Sequence, residues 1–295
     1  MTALKVIPPQ NYRGVVESMN VIIDSINQYD SNGTAYKVED DIYLDLVAAG
    51  FTIEDLPMDL AVAISIFQER GGDPLRSGKR HPLDPLLWRA ARVNEPSWEA
   101  PFGAGRPGWH VECVAIALNY LPEGERTSIT LQGGGSDLVF PHHFMTAIQA
   151  KALNGKEFAA CYAHAGMIGL EGEKMSKSKG NLVFVSKLLE EGVKPQVIRL
   201  ALMLDHYQSD RMWSSATLDR AEDLMQKIER ALAKTEVAPS LPLVQTIVEH
   251  LGNNLDTTSA ILAIERWCED TITGSDGGSA GEVSRALDTY LGIVL

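Results

Sequence analysis

The sequence predicts an α/β protein, with half of a parallel, doubly wound sheet in its middle and a helical C-terminal third. Three observations predict it. Apolar runs that read as buried strands, at residues 128–131 and 161–168, alternate with helical stretches at 111–121 and 140–154, the rhythm of βα units. A glycine triplet, Gly133-Gly134-Gly135, follows the first of those strands, where doubly wound sheets hold their ligands. After Asn181 the apolar residues recur only at helical spacing.

Taken in order, Val15, Val16, Met19, Ile22, Ile23 and Ile26 form an apolar stripe that predicts a helix after Pro8-Pro9. The turn Asp30-Ser31-Asn32-Gly33 separates it from two short strands, at 35–38 and 42–44. A second helix is expected over 59–68, stopped by Glu69-Arg70-Gly71-Gly72-Asp73-Pro74. Residues 71–108 are rich in Pro, Gly and Arg and carry little periodicity, so they read as a long functional loop. Beyond the βα region, Ser186 caps a short helix that Gly192 stops, and Pro195 opens the next. Leu218, Ala221, Leu224, Met225, Ile228 and Leu232 mark a longer amphipathic helix. A linker at 235–242, helical residues 243–267 broken near Gly252-Asn253-Asn254, and a last helix from about Glu282 complete the chain.

Composition narrows the function. The 295 residues carry 26 Lys and Arg against 39 Asp and Glu, a net charge of −13, which argues against a broad electrostatic grip on nucleic acid. No apolar run approaches the roughly 20 residues that span a bilayer, and the N-terminus lacks a signal-peptide pattern, so a cytoplasmic protein is expected. Three scattered cysteines do not make a disulfide framework. Cys161, in an apolar strand, and Cys268, beside Trp267, read as small core residues.

Chemistry concentrates in two stretches. The first runs from Gly133 through Ser136, Asp137 and Pro141 to His142 and His143: glycines let a backbone approach a ligand, and imidazoles offer metal-binding nitrogens. The second is Lys174-Met175-Ser176-Lys177-Ser178, flanked by Gly172 and Gly180. Its ammonium groups would neutralise charge developing on a leaving pyrophosphate, while hydroxyls and amides supply donors.

That second stretch is, letter for letter, the KMSKS signature of class I aminoacyl-tRNA synthetases. With Gly108-Trp109-His110-Val111-Glu112-Cys113, the Gly133 to Leu138 stretch and Phe140-Pro141-His142-His143, the chain resembles the cysteinyl group of that family in motif order and spacing. The resemblance implies the second half of a Rossmann-like catalytic domain, with an inserted α+β region over residues 1–104, the nucleotide-binding half over 105–206 and a helical domain over 207–295. It also implies ATP as a substrate with Mg²⁺, and activation of L-cysteine as an adenylate. Trp109 would form one wall of the cysteine pocket. Gly135, Ser136, Asp137, Ile168 and the residues Lys174, Met175, Ser176, Lys177 and Ser178 would line the adenylate, with Lys174 and Lys177 catalytic.

In that group Zn²⁺ selects cysteine by binding its thiolate, as a borderline-soft ion should. The resemblance carries two of the zinc ligands onto Cys113 and His142. The position of the group's glutamate ligand is Thr146, and its first cysteine and its HIGH motif have no counterpart here, so the chain is expected to begin midway through the catalytic domain. Thr146, the hexapeptide Glu69 to Pro74, and His164-Ala165-Gly166-Met167-Ile168 resemble instead a branch of the family, the mycothiol-pathway ligases that join cysteine to an amino-sugar inositol. This branch implies an amino-sugar inositol acceptor rather than tRNA. The readings left open are a cysteinyl-tRNA synthetase and a truncated, non-catalytic relative. His143 and His164 remain divided between structural and chemical roles.

Overall fold

In the computed structural model the N-terminal apolar stripe forms α1 (Met19–Ser31), which buries Met19, Ile22, Ile26 and Tyr29. The structure describes every residue except Glu123, Glu125, Lys177 and Ser178. It divides into two compact units, residues 10–164 and residues 1–9 with 165–295; the sequence boundaries near 104 and 206 fall inside them.

In the first unit the two expected strands are β1 (Ala35–Val38) and β2 (Asp41–Leu44), an antiparallel hairpin. The second expected helix is α2 (Leu60–Glu69). The long loop expected over 71–108 is corrected by the structure: it contributes β3 (Leu86–Ala90) and β4 (Gly105–Pro107), which complete a four-stranded antiparallel sheet in the order β1, β2, β3, β4. A three-residue strand reading Gly-Arg-Pro is too short to show alternation, and β3 follows Pro82 and Pro85, which mimic a loop. Gly105 is required there, because a Cβ would lie 2.3 Å from the Trp88 indole nitrogen.

The helix α3 (Trp109–Tyr120) follows β4 directly. Its Val111 and Ala115 join Trp88, Leu87, Leu44 and Met145 in the main core of this unit. Burying a Leu, Ile or Met side chain of that kind contributes about 1.5–3 kcal/mol. Next come β5 (Thr127–Gly135), a single 3-10 turn at Ser136–Leu138, a wide turn at Val139–His143, α4 (Phe144–Asn154) and β6 (Glu157–Ala165). Strands β5 and β6 pair with each other. The expectation that Cys161 is a core residue is overturned: it is exposed, with its thiol directed to the Thr130 carbonyl at 3.5 Å. The second half of β6 is open to solvent, which an apolar reading of its residues does not reveal.

In the second unit β7 (Ile168–Leu170) and β8 (Glu173–Lys174) form a hairpin, so the strand expected over 161–168 is in fact two. The short helix α5 (Val185–Glu190) and α6 (Pro195–Met203), with Pro195 in its first turn, are present, but the expected Ser186 cap is corrected: Phe184 is the N-cap residue and Ser186 lies inside α5, which has no side-chain cap. Strand β9 (Arg211–Trp213) lies parallel to β7. The helical remainder is α7 (Ser215–Leu232), α8 (Ser240–Gly252), α9 (Thr257–Thr273) and α10 (Ala280–Ala286). Ser214 caps α7 and Asp256 caps α9 through side-chain oxygens that accept backbone N–H bonds. Leu224, Ile228, Ile247, Ile264, Trp267 and Cys268 meet in one core. Burial pushes the Cys268 thiol up to about 12, as befits a packing residue. Among the described residues no helix is long and apolar enough to cross a membrane.

Candidate active site

Gly108 sets the geometry of the first half-site. A Cβ on it would fall 1.9 Å from the Leu86 carbonyl oxygen, so only glycine lets α3 start against β3. Trp109 and His110 therefore occupy the first turn of α3, with Cys113 one turn further along. The Trp109 indole, 43% exposed, stacks on His142 at 4.5 Å between ring centroids and an interplanar angle of 16°, and on His110 at 5.3 Å. His110 Nδ1 and His142 Nδ1 are 3.0 Å apart, so one of them carries a proton and the other accepts it. A second imidazole pair lies alongside, His143 Nδ1 and His164 Nε2 at 2.7 Å. Gly134 permits it: a Cβ there would be 2.8 Å from the His143 ring.

Burial keeps His110 and His143 uncharged. His110 is held down at about 3 by desolvation and by His142, and His143 at about 4 by desolvation, His164 and His142. Burial also lowers His142 and raises Glu112 to about 7. The Cys113 thiol, though its residue reaches solvent, is pushed up to about 11 by desolvation and by Glu112. Thr146 is fully buried and its hydroxyl donates to the His143 carbonyl at 2.9 Å, which leaves that oxygen turned onto the helix.

The hexapeptide Glu69 to Pro74 closes the other side of this half-site. Arg70 Nη1 reaches Asp137 Oδ2 at 3.3 Å, joining the hexapeptide to the 3-10 turn after β5. Gly71 has a φ of +90°, which favours glycine, and a Cβ on Gly72 would lie 2.4 Å from the Phe67 ring. Asp73 accepts from the Tyr43 hydroxyl and from Lys79 Nζ at 3.0 Å. The Lys79 ammonium is 2% exposed and also donates to the Pro82 carbonyl, and its burial lowers its pKa. A cavity of about 180 Å³ runs from Gly72 and Asp73 to Trp109, His110 and Pro141.

In the other unit, Lys174 ends the β7–β8 hairpin, whose turn has Glu171 and Gly172 at φ of 53° and 83°. Asn181 fastens the following loop: it accepts from the Ser176 amide at 2.8 Å and donates to the Lys174 carbonyl at 3.2 Å. Lys179 pairs with Glu173 at 2.8 Å. Ile168 and Met175 meet in a narrow apolar cavity of about 120 Å³ with Val183 and Trp213. Lys177 and Ser178 lie outside the described residues.

Residues 1–223 match the family described as the catalytic domain of class I (C) tRNA synthetases. The chain is also similar to proteins named L-cysteine:1D-myo-inositol 2-amino-2-deoxy-alpha-D-glucopyranoside ligase. These come from Gordonia bronchialis (48% identical over 302 residues), Streptomyces avermitilis (47% over 299) and Rhodococcus erythropolis (47% over 303), and each match covers 100% of this chain and 72% of the relative. The chain belongs to the class I synthetase family and to these ligases' branch of it. A crystal structure from Campylobacter jejuni, of a protein assigned as an arginyl tRNA synthetase, shares the fold at a TM-score of 0.57 and 12% identity, covering 99% of this chain and 65% of that one.

Within this class I synthetase domain, the residues singled out by motif fall in both units: Trp109, Cys113, Gly135, Ser136, Asp137 and His142 in one, Ile168 and the loop from Lys174 in the other. The structure stacks Trp109 on His142 and adds four residues to which the sequence assigned no contact. Arg70 and Asn181 sat inside or beside recognised motifs without a partner. His110 and His164 acquire partners only in the structure, as the second members of imidazole pairs. A thiol and an imidazole suit zinc. Among the described residues, however, no three His, Cys, Asp or Glu side chains gather where they could hold a metal ion. Cys113 and His142 therefore do not complete a tetrahedral centre by themselves.

Proposed function

We propose that this chain carries out ATP-dependent ligation of L-cysteine to the amine of 1D-myo-inositol 2-amino-2-deoxy-α-D-glucopyranoside. The observation that carries the reading is the Arg70 to Asp137 ion pair. Through it, the hexapeptide that resembles the ligase branch touches the carboxylate expected to hold the adenylate ribose. Identity of about half to the named ligases, over the full length of this chain, supports the same reading.

The cysteine carboxylate attacks the α-phosphorus of ATP, pyrophosphate leaves, and a cysteinyl-adenylate forms. The acceptor amine then attacks the carbonyl carbon; the new C–N bond forms, the bond from carbon to the phosphate oxygen breaks, AMP departs and the amine gives up a proton. Lys174 stabilises negative charge on the departing pyrophosphate, and Asp137 accepts hydrogen bonds from ribose hydroxyls. Trp109 orients the cysteine, and the uncharged imidazoles behind it keep that wall free of positive charge. We also propose that Cys113 and His142 contribute to a zinc site: metal analysis of the purified protein should find zinc, and Cys113→Ser should lower its content.

The test is incubation with ATP, cysteine and either the amino sugar or tRNA, following AMP and product by mass spectrometry. Amide formation with AMP release is the expected result. Charging of tRNA, or an inert protein, would overturn the reading.

A further inference from the structure

Beside the small cavity that ends at Trp109 lies a larger one, of about 470 Å³, between the 69–74 hexapeptide and strands β2 and β3. Gly71, Gly72, Asp73, Leu86 and Arg89 line both, so the two are halves of one recess. Gln68 and six further polar side chains line the larger half: Asp41, Tyr43, Asp73, Arg76, Arg89 and Arg92. We propose that this larger cavity holds the hydroxyl-rich body of the acceptor while the smaller one admits its amine to the Trp109 wall.

This assignment rests on the ligase reading above and adds to it where the acceptor sits. Size is the first argument, since cavities of about 300–1,000 Å³ are those that hold small-molecule ligands. Charge is the second. Three arginines alone would suit a polyphosphate, but neighbouring carboxylates already answer their charge. Asp41 accepts from Arg76, and from Arg92 at 3.4 Å; Arg89 pairs with Glu95 at 3.2 Å; Asp73 pairs with Lys79. What remains is a wall of guanidinium donors interleaved with carboxylate acceptors, close to neutral. A sugar or cyclitol hydroxyl both donates and accepts, so such a wall satisfies it and satisfies a phosphate poorly. Access is the third. Asp73 and Arg92 keep 40% and 49% of their side-chain surface in solvent despite their ion pairs. Gly71, at φ +90° with nothing near its missing side chain, leaves the loop backbone open to a ligand.

Two variants test the assignment. Arg92→Ala removes a donor, and Leu75→Trp narrows the cavity from a rim position that is 86% exposed and free to take a larger side chain. For each, ATP–pyrophosphate exchange with cysteine, which needs no acceptor, is measured beside full ligation. The expected result is an acceptor KM raised at least tenfold in both, with the exchange constants for ATP and cysteine moved less than twofold. Acceptor KM within twofold of the unmodified protein, with exchange intact, would overturn the assignment and leave the ligase reading standing. Loss of exchange in the unmodified protein would remove the ligase reading and this assignment with it.

Discussion

The two motif loops are held in opposite ways. The Glu69 to Pro74 hexapeptide is fixed from several directions by side chains: Arg70 on Asp137, Asp73 on Lys79 and Tyr43, and Gly72 against the Phe67 ring. Among its described residues, the loop after Lys174 is tied locally: Asn181 bridges its backbone, Lys179 pairs with Glu173 across the hairpin and the Lys179 amide donates to the Ser176 hydroxyl, with Lys174 and Lys179 on its exposed side. A loop that shapes a neutral pocket gains from rigid walls, because the ligand then pays no ordering cost. A loop that meets charge as it develops needs its cations near water until ATP arrives, and local anchoring at the stem suffices. The anchoring of each loop thus matches the recognition task proposed for it.

Four substitutions would break or sharpen this contrast. Lys174→Ala should lower ATP–pyrophosphate exchange by about 10²–10³-fold, roughly 2.7–4 kcal/mol of transition-state stabilisation, without shifting the urea midpoint. A loss below threefold would mean that the exposed loop does not meet the pyrophosphate. Gly72→Ala should act in the reverse sense: its Cβ collides with Phe67, so urea denaturation should report about 1–3 kcal/mol of lost stability. An unchanged midpoint would show that the hexapeptide is softer than its contacts suggest. Asn181→Ala frees both backbone groups it bridges, and exchange should drop about tenfold, equivalent to about 1.4 kcal/mol, while stability changes by less than about 0.5 kcal/mol. If the folding midpoint moved as well, the asparagine would be a general prop and not a loop anchor. Arg70→Ala should be the mildest. Its ion pair is partly solvated and contributes about 0–1 kcal/mol to stability, and the KM for ATP should rise about two- to fivefold as Asp137 loses its guide. An unchanged KM for ATP would separate the hexapeptide from the adenylate.

Much of this was legible in the chain, and for identifiable reasons. Long amphipathic helices such as α7 and α9 announce themselves by spacing, and Pro195 marks the start of α6. The Lys174 loop and the Gly133 to His143 stretch were legible because local chemistry is written in consecutive residues. What stayed hidden depends on distance. Arg70 and Asp137 are 67 positions apart and His110 and His142 are 32 apart, and no periodicity links members of such pairs. Strands β3 and β4 were hidden because five residues and three residues, set among prolines and glycines, carry too few alternations to distinguish a strand from a loop. Cys161 was misread because an apolar strand reveals what it is made of and not whether anything covers it.

The stacking of Trp109 has an optical consequence. Of the chain's five tryptophans, Trp88 and Trp267 are buried in cores, whereas Trp109 lies half in solvent with uncharged imidazoles against its face. Its emission therefore depends on what covers the ring and on where His142 sits. A ligand reaching the wall would alter the fluorescence of the unlabelled protein, and the difference between the native chain and Trp109→Phe would isolate that signal. The residue proposed to orient the cysteine also makes its own pocket visible.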